Sequence, residues 1–243
     1  MNINKLFLTN NDCYKAGKKI TVKGIMVHST GANNPWLKRY LPDDGKIGKN
    51  QYGNHWNTAR PGGIQVCVHG FIGKLADGSV ATYQTLPWNH RGWHAGGSAN
   101  NTHIGFEICE DGLSDSTYFN KVYKEAVELC AYLCKEYGLT EKDIICHSEG
   151  YKKGIASNHG DVMHWFPKHG KSMDTFRFDV KKLLSGNTTA AVTELTTVND
   201  IVWELAHRGI ISDSALWLKK LEEDTNSYWL ARKTANYLRN KNV

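Results

Sequence analysis

Three side chains in this sequence are of the types that bind a catalytic metal, and two of them stand at the ends of apolar runs. Residues 25–27 predict a buried strand that ends in His28, and residues 144–146 predict another that ends in His147. Asp161 follows further along the chain. A catalytic zinc ion takes three protein ligands of the His, Asp/Glu or Cys type and keeps one position open for water. His28, His147 and Asp161 together meet that requirement.

A structural role is the alternative for these histidines. The chain contains 11 His, so two of them can fall at strand ends by chance. An isolated His after an apolar run is more often a hydrogen-bonded structural residue than a ligand. Spacing alone therefore leaves both interpretations open. The absence of an HExxH sequence argues against the helical zinc motif of many metalloproteases.

The composition predicts a folded protein with one medium domain, or one domain and a small appendage. The chain has 243 residues, of which 40% are hydrophobic and 22% are charged. No apolar run reaches the roughly 18 residues that a membrane-spanning helix needs. The formal net charge of +6 favours anionic partners. Because the Lys and Arg residues form no dense block, we expect no nucleic-acid binding.

The N-terminal sequence and the cysteines indicate where the chain is made. Residues 1–8 lack the long apolar core and the small-residue cleavage site of a secretory signal. We therefore expect synthesis in the cytoplasm without a signal peptide, so that action outside the membrane requires release by another factor. The six Cys contain no CxxC pair, and we expect all of them to be reduced.

A change of composition divides the chain. Residues 186–198 are rich in Ser, Thr, Asn and Ala, and they predict a linker. Residues 1–185 mix strand-like and helix-like patterns, whereas residues 199–243 carry three short helical patterns. A region of about 45 residues folds alone only with difficulty. We therefore expect this all-helical C-terminal region to pack on itself, dock on the main domain or form a homo-oligomer.

Four short motifs follow one another within residues 20–184. They are Val27-His28-Ser29-Thr30, Trp93-His94-Ala95-Gly96, Asn101-Thr102-His103-Ile104-Gly105-Phe106-Glu107 and Cys146-His147-Ser148-Glu149. In this order they resemble the motifs of the zinc-dependent N-acetylmuramoyl-L-alanine amidases of type 2. That family includes the peptidoglycan recognition proteins and phage amidase endolysins. One such motif alone would be a weak signal, but the ordered set is specific.

The resemblance implies a fold, a cofactor and a reaction. The implied fold is α/β, with a mixed central β-sheet flanked by helices. One Zn²⁺ per chain lies in a surface groove on His28, His147 and Asp161, where it lowers the pKa of its bound water and polarises the scissile carbonyl. The implied reaction is hydrolysis of the amide bond between N-acetylmuramic acid and L-alanine in bacterial peptidoglycan.

The resemblance also implies roles for residues around the metal. Glu107 takes a proton from the water and delivers it to the leaving amine. His159 stands where the family has a Lys, and we expect it to stabilise the oxyanion as a hydrogen-bond donor. Trp93, His94 and Asn101 are expected to contact the substrate. The alternative for Trp93 and His94 is a structural role, and the alternative for Glu107 is a core carboxylate paired with Lys or Arg.

The third metal ligand departs from the family pattern. The segment from His147 to Asp161 is longer than usual, through an insertion around residues 151–156. The Pro-Gly that often follows this ligand is also absent. His159 and His164 are therefore alternative third ligands.

Several functional classes fit these observations. The leading one is a phage or prophage endolysin that reaches the wall after release by a holin or by lysis, and a bacterial autolysin is the second. A peptidoglycan-binding module without activity is a further class, although the presence of all three ligands and Glu107 favours an enzyme. Peptidoglycan is the expected partner, with anionic wall polymers as further candidates. The C-terminal helices are expected to target the wall or to self-associate.

Overall fold

A computed structural model describes residues 2–185 and 197–240 of the chain. The chain divides into two compact units, Met1–Ser185 and Gly186–Val243. Most of the segment that the sequence predicts to be a linker, residues 186–196, lies outside the described residues.

A mixed six-stranded sheet forms the centre of the first unit, in the order β1-β4-β3-β5-β2-β6. All neighbouring strands are parallel except β3 and β4, which form an antiparallel hairpin. This arrangement confirms the prediction of a mixed central sheet. The strands are β1 Ile3–Lys5, β2 Gly24–Ser29, β3 Gly70–Lys74, β4 Val80–Gln84, β5 His103–Ile108 and β6 Ile144–Cys146.

The neighbouring strands β5, β2 and β6 bring the ends of three apolar runs to one edge of the sheet. Every residue of β2 is buried, as is typical of a strand covered on both faces. The register places His28 beside Glu107 of β5, and Val27 beside Cys146 of β6. His147 follows β6 directly, so both predicted histidine ligands leave the sheet at the same edge.

Helices pack on the sheet through apolar faces. They are α1 Asp12–Ala16, α2 Ser116–Tyr137, α3 His147–Lys152 and α4 Met173–Leu184. The longest, α2, begins after Asp115, whose carboxylate accepts a hydrogen bond from the Tyr118 amide, and it ends at Gly138 with φ 65°. The main core joins buried residues of α2 and α4 to those of β2 and β5. The sequence predicts a loop after His147, but the structure has α3 there, because the Glu149 carboxylate accepts from the Cys146 amide and caps this helix.

The structure corrects the expectation that all six cysteines are reduced. Cys13 and Cys67 are joined by a disulfide across 54 residues of sequence. Each Cys stands alone in its local sequence, so only the tertiary approach of the two segments reveals the pair. The remaining four cysteines are free and buried, as expected: Cys109, Cys130, Cys134 and Cys146.

In residues 197–240, the described part of the second unit, there are three helices, α5 Val198–His207, α6 Ser214–Glu223 and α7 Thr225–Asn240. This confirms the prediction of a small all-helical C-terminal region. Its apolar residues meet in one core, which includes Ile201, Leu205, Leu221 and Ala235. Other large apolar side chains stay exposed on α6 and α7: Leu216, Trp229, Leu230 and Tyr237. Within the described residues, we find no helix with the length and hydropathy required to cross a membrane.

Candidate metal centre

The three predicted metal ligands converge at the sheet edge. The Nδ1 atom of His28 lies 3.0 Å from Oδ2 of Asp161 and 3.1 Å from Nδ1 of His147. The Nδ1 atom of His147 lies 3.6 Å from Oδ1 of Asp161. Their ligand atoms all fall within 4.8 Å of one another. In the part of the chain that the structure describes, this is the one group of three or more such side chains placed to hold a metal ion.

The chemistry of this donor set fits zinc. Two imidazole nitrogens and one carboxylate are among the ligand sets of catalytic zinc sites, in which a fourth position stays open. The side chains of His28 and His147 are 2% and 6% exposed, so both imidazole ligands are buried. Both Nδ1 atoms point at the same carboxylate. A cation placed between the two nitrogens and that carboxylate could therefore be bound by all three side chains.

The environment keeps the ligands in the protonation states that a metal requires. Burial raises the pKa of Asp161, but hydrogen bonds with His147 and His28 outweigh burial and hold the pKa well below its usual range. Burial lowers the pKa of His28 even though Asp161 opposes this shift. Asp161 is therefore ionised and His28 neutral near pH 7, and these are the forms that bind zinc.

Glu107 lies next to the metal ligands in an apolar setting. It is the register partner of His28, and its Oε2 atom is buried with no hydrogen-bond partner among the described residues. Burial raises the pKa of Glu107 well above its usual range, and the negative charges of Asp161 and Glu110 raise it further. We find no Lys or Arg paired with it in the described ranges, so the structure gives no support to a paired core carboxylate. A carboxyl group with a raised pKa is suited to general acid–base chemistry.

His159 is brought to the same centre from the open side. Its ring centroid lies 4.7 Å from that of His147, with the two planes tilted by 30°. The residue is exposed, unlike His28 and His147. This position leaves the His159 ring accessible to a bound substrate.

The structure places His94 behind His28 rather than on the groove. Its Nδ1 atom lies 2.9 Å from Nε2 of His28, on the opposite edge of that ring from Asp161. Its Nε2 atom lies 3.1 Å from the carbonyl oxygen of His103. Burial holds the pKa of His94 well below its usual range, and the neighbouring His28 and His69 lower it further. These contacts favour the structural alternative, and a substrate contact through His94 stays a prediction.

Trp93 and Asn101 are not gathered around the metal ligands. The backbone of Trp93 pairs with that of Cys67, and its side chain packs with Cys13 and Leu86. Asn101 is exposed, and its Oδ1 atom accepts a hydrogen bond of 2.7 Å from Arg91. Trp93 is thus a packed residue, and a substrate contact through Asn101 stays a prediction.

His164, the alternative third ligand, has another partner. Its Nε2 atom lies 2.8 Å from Oε1 of Glu110, which is 3% exposed and also accepts from the Gly31 amide. His164 is therefore hydrogen-bonded to Glu110 and lies outside the three-ligand cluster. The sequence analysis missed Glu110 and also Ser157, whose Oγ atom lies 3.2 Å from Nε2 of His147. The position of Glu110, just beyond the apolar run of β5, could have indicated a role at the sheet edge. Nothing in the sequence around Ser157 indicates a role.

The fold and site define an α/β protein with two histidines and one carboxylate that could hold a metal ion at a sheet edge, and with a carboxyl group beside them. A family model described as Amidase_2, N-acetylmuramoyl-L-alanine amidase, matches residues 18–164, which is more than half of the chain. The chain belongs to this amidase family. The matched range contains all three candidate ligands and Glu107.

Individual relatives match over shorter stretches. The chain is 40% identical over 68 residues to the N-acetylmuramoyl-L-alanine amidase XlyA of Bacillus subtilis (strain 168), covering 27% of this chain and 22% of the relative. It is 33% identical over 100 residues to a "Probable N-acetylmuramoyl-L-alanine amidase" of Bacillus licheniformis, covering 41% of this chain and 25% of that protein. The matches thus span about a quarter of the length of these curated relatives.

Solved structures share the fold. The crystal structure of the Staphylococcus aureus hydrolase AmiA in complex with its ligand superimposes with a TM-score of 0.53 at 18% sequence identity. The superposition covers 76% of this chain and 83% of that one. At this identity the similarity establishes the fold alone.

Proposed function

We propose that this protein is a zinc-dependent amidase that hydrolyses the bond between N-acetylmuramic acid and L-alanine in bacterial peptidoglycan. The observation that carries the proposal is the convergence of His28, His147 and Asp161 within 4.8 Å, beside the unpaired Glu107. Membership of the amidase family supports the choice of bond. The names of the two curated relatives point to the same reaction.

The ligands and their neighbours would divide the chemistry between them. His28, His147 and Asp161 would hold one Zn²⁺, which when bound acidifies water and polarises a carbonyl group. Glu107 takes a proton from the attacking water as the oxygen bonds to the carbonyl carbon. It then returns that proton to the nitrogen of L-alanine as the carbon–nitrogen bond breaks. His159, on the open side, donates a hydrogen bond to the oxygen that gains negative charge.

The second unit would direct the protein to its site of action and would take no part in the hydrolysis itself. We infer that its exposed apolar side chains, including Leu216, Trp229 and Leu230, contact the wall or a second copy of the chain. The net charge of +6 is compatible with anionic wall polymers as additional partners. For the whole protein we propose the role of a phage or prophage endolysin, made in the cytoplasm and released by a holin or by lysis, with a bacterial autolysin as the alternative.

Mass spectrometry of digested peptidoglycan tests the proposed bond. Purified walls treated with the zinc-loaded protein should release peptides with a free N-terminal L-alanine and leave glycan strands with no new reducing ends. New reducing ends, or cuts inside the stem peptide, would assign a different bond. Wall binding without any released product would instead support the non-catalytic binding module.

A further inference from the structure

Both histidine ligands present the same nitrogen to the metal centre and have a polar partner on the other nitrogen. The Nδ1 atoms of His28 and His147 face Asp161. The Nε2 atom of His28 lies 2.9 Å from Nδ1 of His94, and the Nε2 atom of His147 lies 3.2 Å from Oγ of Ser157. The two imidazoles are therefore held from behind by different elements.

Backbone carbonyl groups fix the direction of these hydrogen bonds. Nε2 of His94 lies 3.1 Å from the carbonyl oxygen of His103, and Oγ of Ser157 lies 3.2 Å from the carbonyl oxygen of Ala95. A carbonyl oxygen only accepts, so His94 and Ser157 both donate to these groups. Nδ1 of a neutral His94 and Oγ of Ser157 then act as acceptors for the metal-binding imidazoles.

This ordering favours one tautomer of each ligand once a metal ion is bound. His28 would then donate from Nε2 to His94, and His147 would donate from Nε2 to Ser157. A neutral imidazole has only one N–H group, so each ring could offer the Nδ1 lone pair to the ion. Those lone pairs point to the position between the rings and Asp161 where a metal ion would lie.

Glycines provide the space for this support. A Cβ atom on Gly105 would lie 2.4 Å from the His94 ring, and one on Gly96 would lie 2.5 Å from Oγ of Ser157. A Cβ atom on Gly97 would lie 2.4 Å from the carbonyl oxygen of Ile155. Any side chain at these positions would push the loop that carries His94 away from its partners.

Ser157 lies in the segment that joins His147 to Asp161. This segment docks on the loop of His94 through two backbone hydrogen bonds. They run from the Ser157 amide to the Ala95 carbonyl at 2.8 Å and from the Ala99 amide to the Ile155 carbonyl at 3.0 Å.

We propose that His94 and Ser157 are positioning residues that set the tautomer and orientation of His28 and His147 for zinc binding. The segment that carries Ser157 thereby supports the metal centre. The proposal rests on the proposed zinc site. Residues that orient metal ligands in this way typically contribute about 10- to 100-fold to metal affinity.

Zinc affinity of the full chain, measured by competition with a chromophoric chelator, tests this role. Asn at position 94 keeps an acceptor near the place of Nδ1, whereas Gln keeps a donor near the place of Nε2. His94→Gln and Ser157→Ala should therefore weaken zinc binding by about 10- to 100-fold, while His94→Asn retains most of the affinity. A purely structural role for His94 would give the opposite order, because only Gln preserves the bond to His103.

Two matched controls separate positioning from general damage. Ser114 is exposed, so Ser114→Ala removes a hydroxyl group without affecting the centre. At Gly112 the nearest atom to an added Cβ is 3.6 Å away, so Gly112→Ala is tolerated, whereas Gly105→Ala should reproduce the loss caused by His94→Gln. Unchanged zinc affinity in His94→Gln, Ser157→Ala and Gly105→Ala would overturn the proposal.

The ligand nitrogens themselves are visible by nitrogen NMR of the zinc-loaded protein. Long-range ¹H–¹⁵N spectra should show His28 and His147 protonated at Nε2 and bound to zinc through Nδ1. Zinc on Nε2, with the proton on Nδ1, would refute the positioning role. A wild-type protein that binds no zinc would instead overturn the proposed function.

Discussion

Replacing Glu107 by Gln would separate metal binding from catalysis. Gln has the shape of Glu but cannot accept the proton of the attacking water. The Oε2 atom of Glu107 has no hydrogen-bond partner among the described residues, so the substitution breaks no hydrogen bond of that atom. General acid–base catalysis is typically worth about 10²- to 10⁴-fold in rate. We therefore expect turnover to fall by this factor, which corresponds to a rise of about 3–5 kcal/mol in activation free energy, while zinc content stays the same.

The pH dependence of kcat/KM is a second test of the role of Glu107. Burial, Asp161 and Glu110 all raise the pKa of Glu107. Glu107 must be ionised to accept a proton, so kcat/KM should rise with pH through an acidic limb above the ordinary Glu pKa of about 4.3. The residual activity of Glu107→Gln should lack this limb.

The free energy of unfolding should fall as pH rises, in the opposite direction to kcat/KM. A carboxyl group whose pKa is raised in the folded state contributes stability below its unfolded pKa and loses that contribution as pH rises through the folded pKa. The free energy of unfolding of the zinc-free wild type should therefore fall across this window. In Glu107→Gln the fall should be smaller, which urea denaturation at several pH values measures.

Chromatography of the peptide released from soluble muropeptides measures turnover, and elemental analysis measures zinc content. Glu136→Gln is the matched control, because it makes the same change at an exposed position on α2. Wild-type turnover in Glu107→Gln would remove Glu107 from the mechanism. Loss of zinc together with turnover would show that Glu107 is needed to build the site rather than to move a proton.

Three further predictions concern the ligands, His159 and the second unit. His28→Ala should lose zinc and lysis together while circular dichroism shows a folded protein, and full retention of both would mean that the site is misplaced. His159→Lys should support turnover, because Lys keeps a hydrogen-bond donor at this position; loss of turnover with zinc retained would exclude a role for His159 as a simple donor. Truncation after Leu184 should leave a soluble, zinc-loaded protein that cleaves soluble muropeptides but sediments less with intact walls or changes its oligomeric state. Aggregation and zinc loss in the truncated protein would show that the C-terminal helices are part of the catalytic fold.

The sequence alone was sufficient for features that depend on neighbouring residues. The helical spacing of apolar residues predicts most of α2, and Gly138 marks its end because glycine adopts the left-handed conformation without strain. The apolar runs before His28 and His147 predict β2 and β6. Strand ends present side chains at one sheet edge, so motif order and strand prediction together pointed to the ligands that the structure brings together.

Other features were decided only by the tertiary structure. The strand β1 is three residues long, too short for an alternating pattern, and it forms by pairing with β4. The Cys13–Cys67 disulfide depends on the approach of segments 54 residues apart. Such contacts are selected by packing and loop closure across the whole unit, and no local pattern records them.

The roles of His94, Ser157 and His164 show the same limit within the site itself. A His between Trp93 and Ala95 gives no sign of whether it faces the substrate or the back of His28. Only the space left by Gly105 and the carbonyl of His103 decides that it lies behind the ligand. His164 is likewise a candidate ligand in the sequence, but in the structure its Nε2 atom is hydrogen-bonded to the buried Glu110. The sequence determines which chemical groups are present, and three-dimensional packing determines which of their atoms meet.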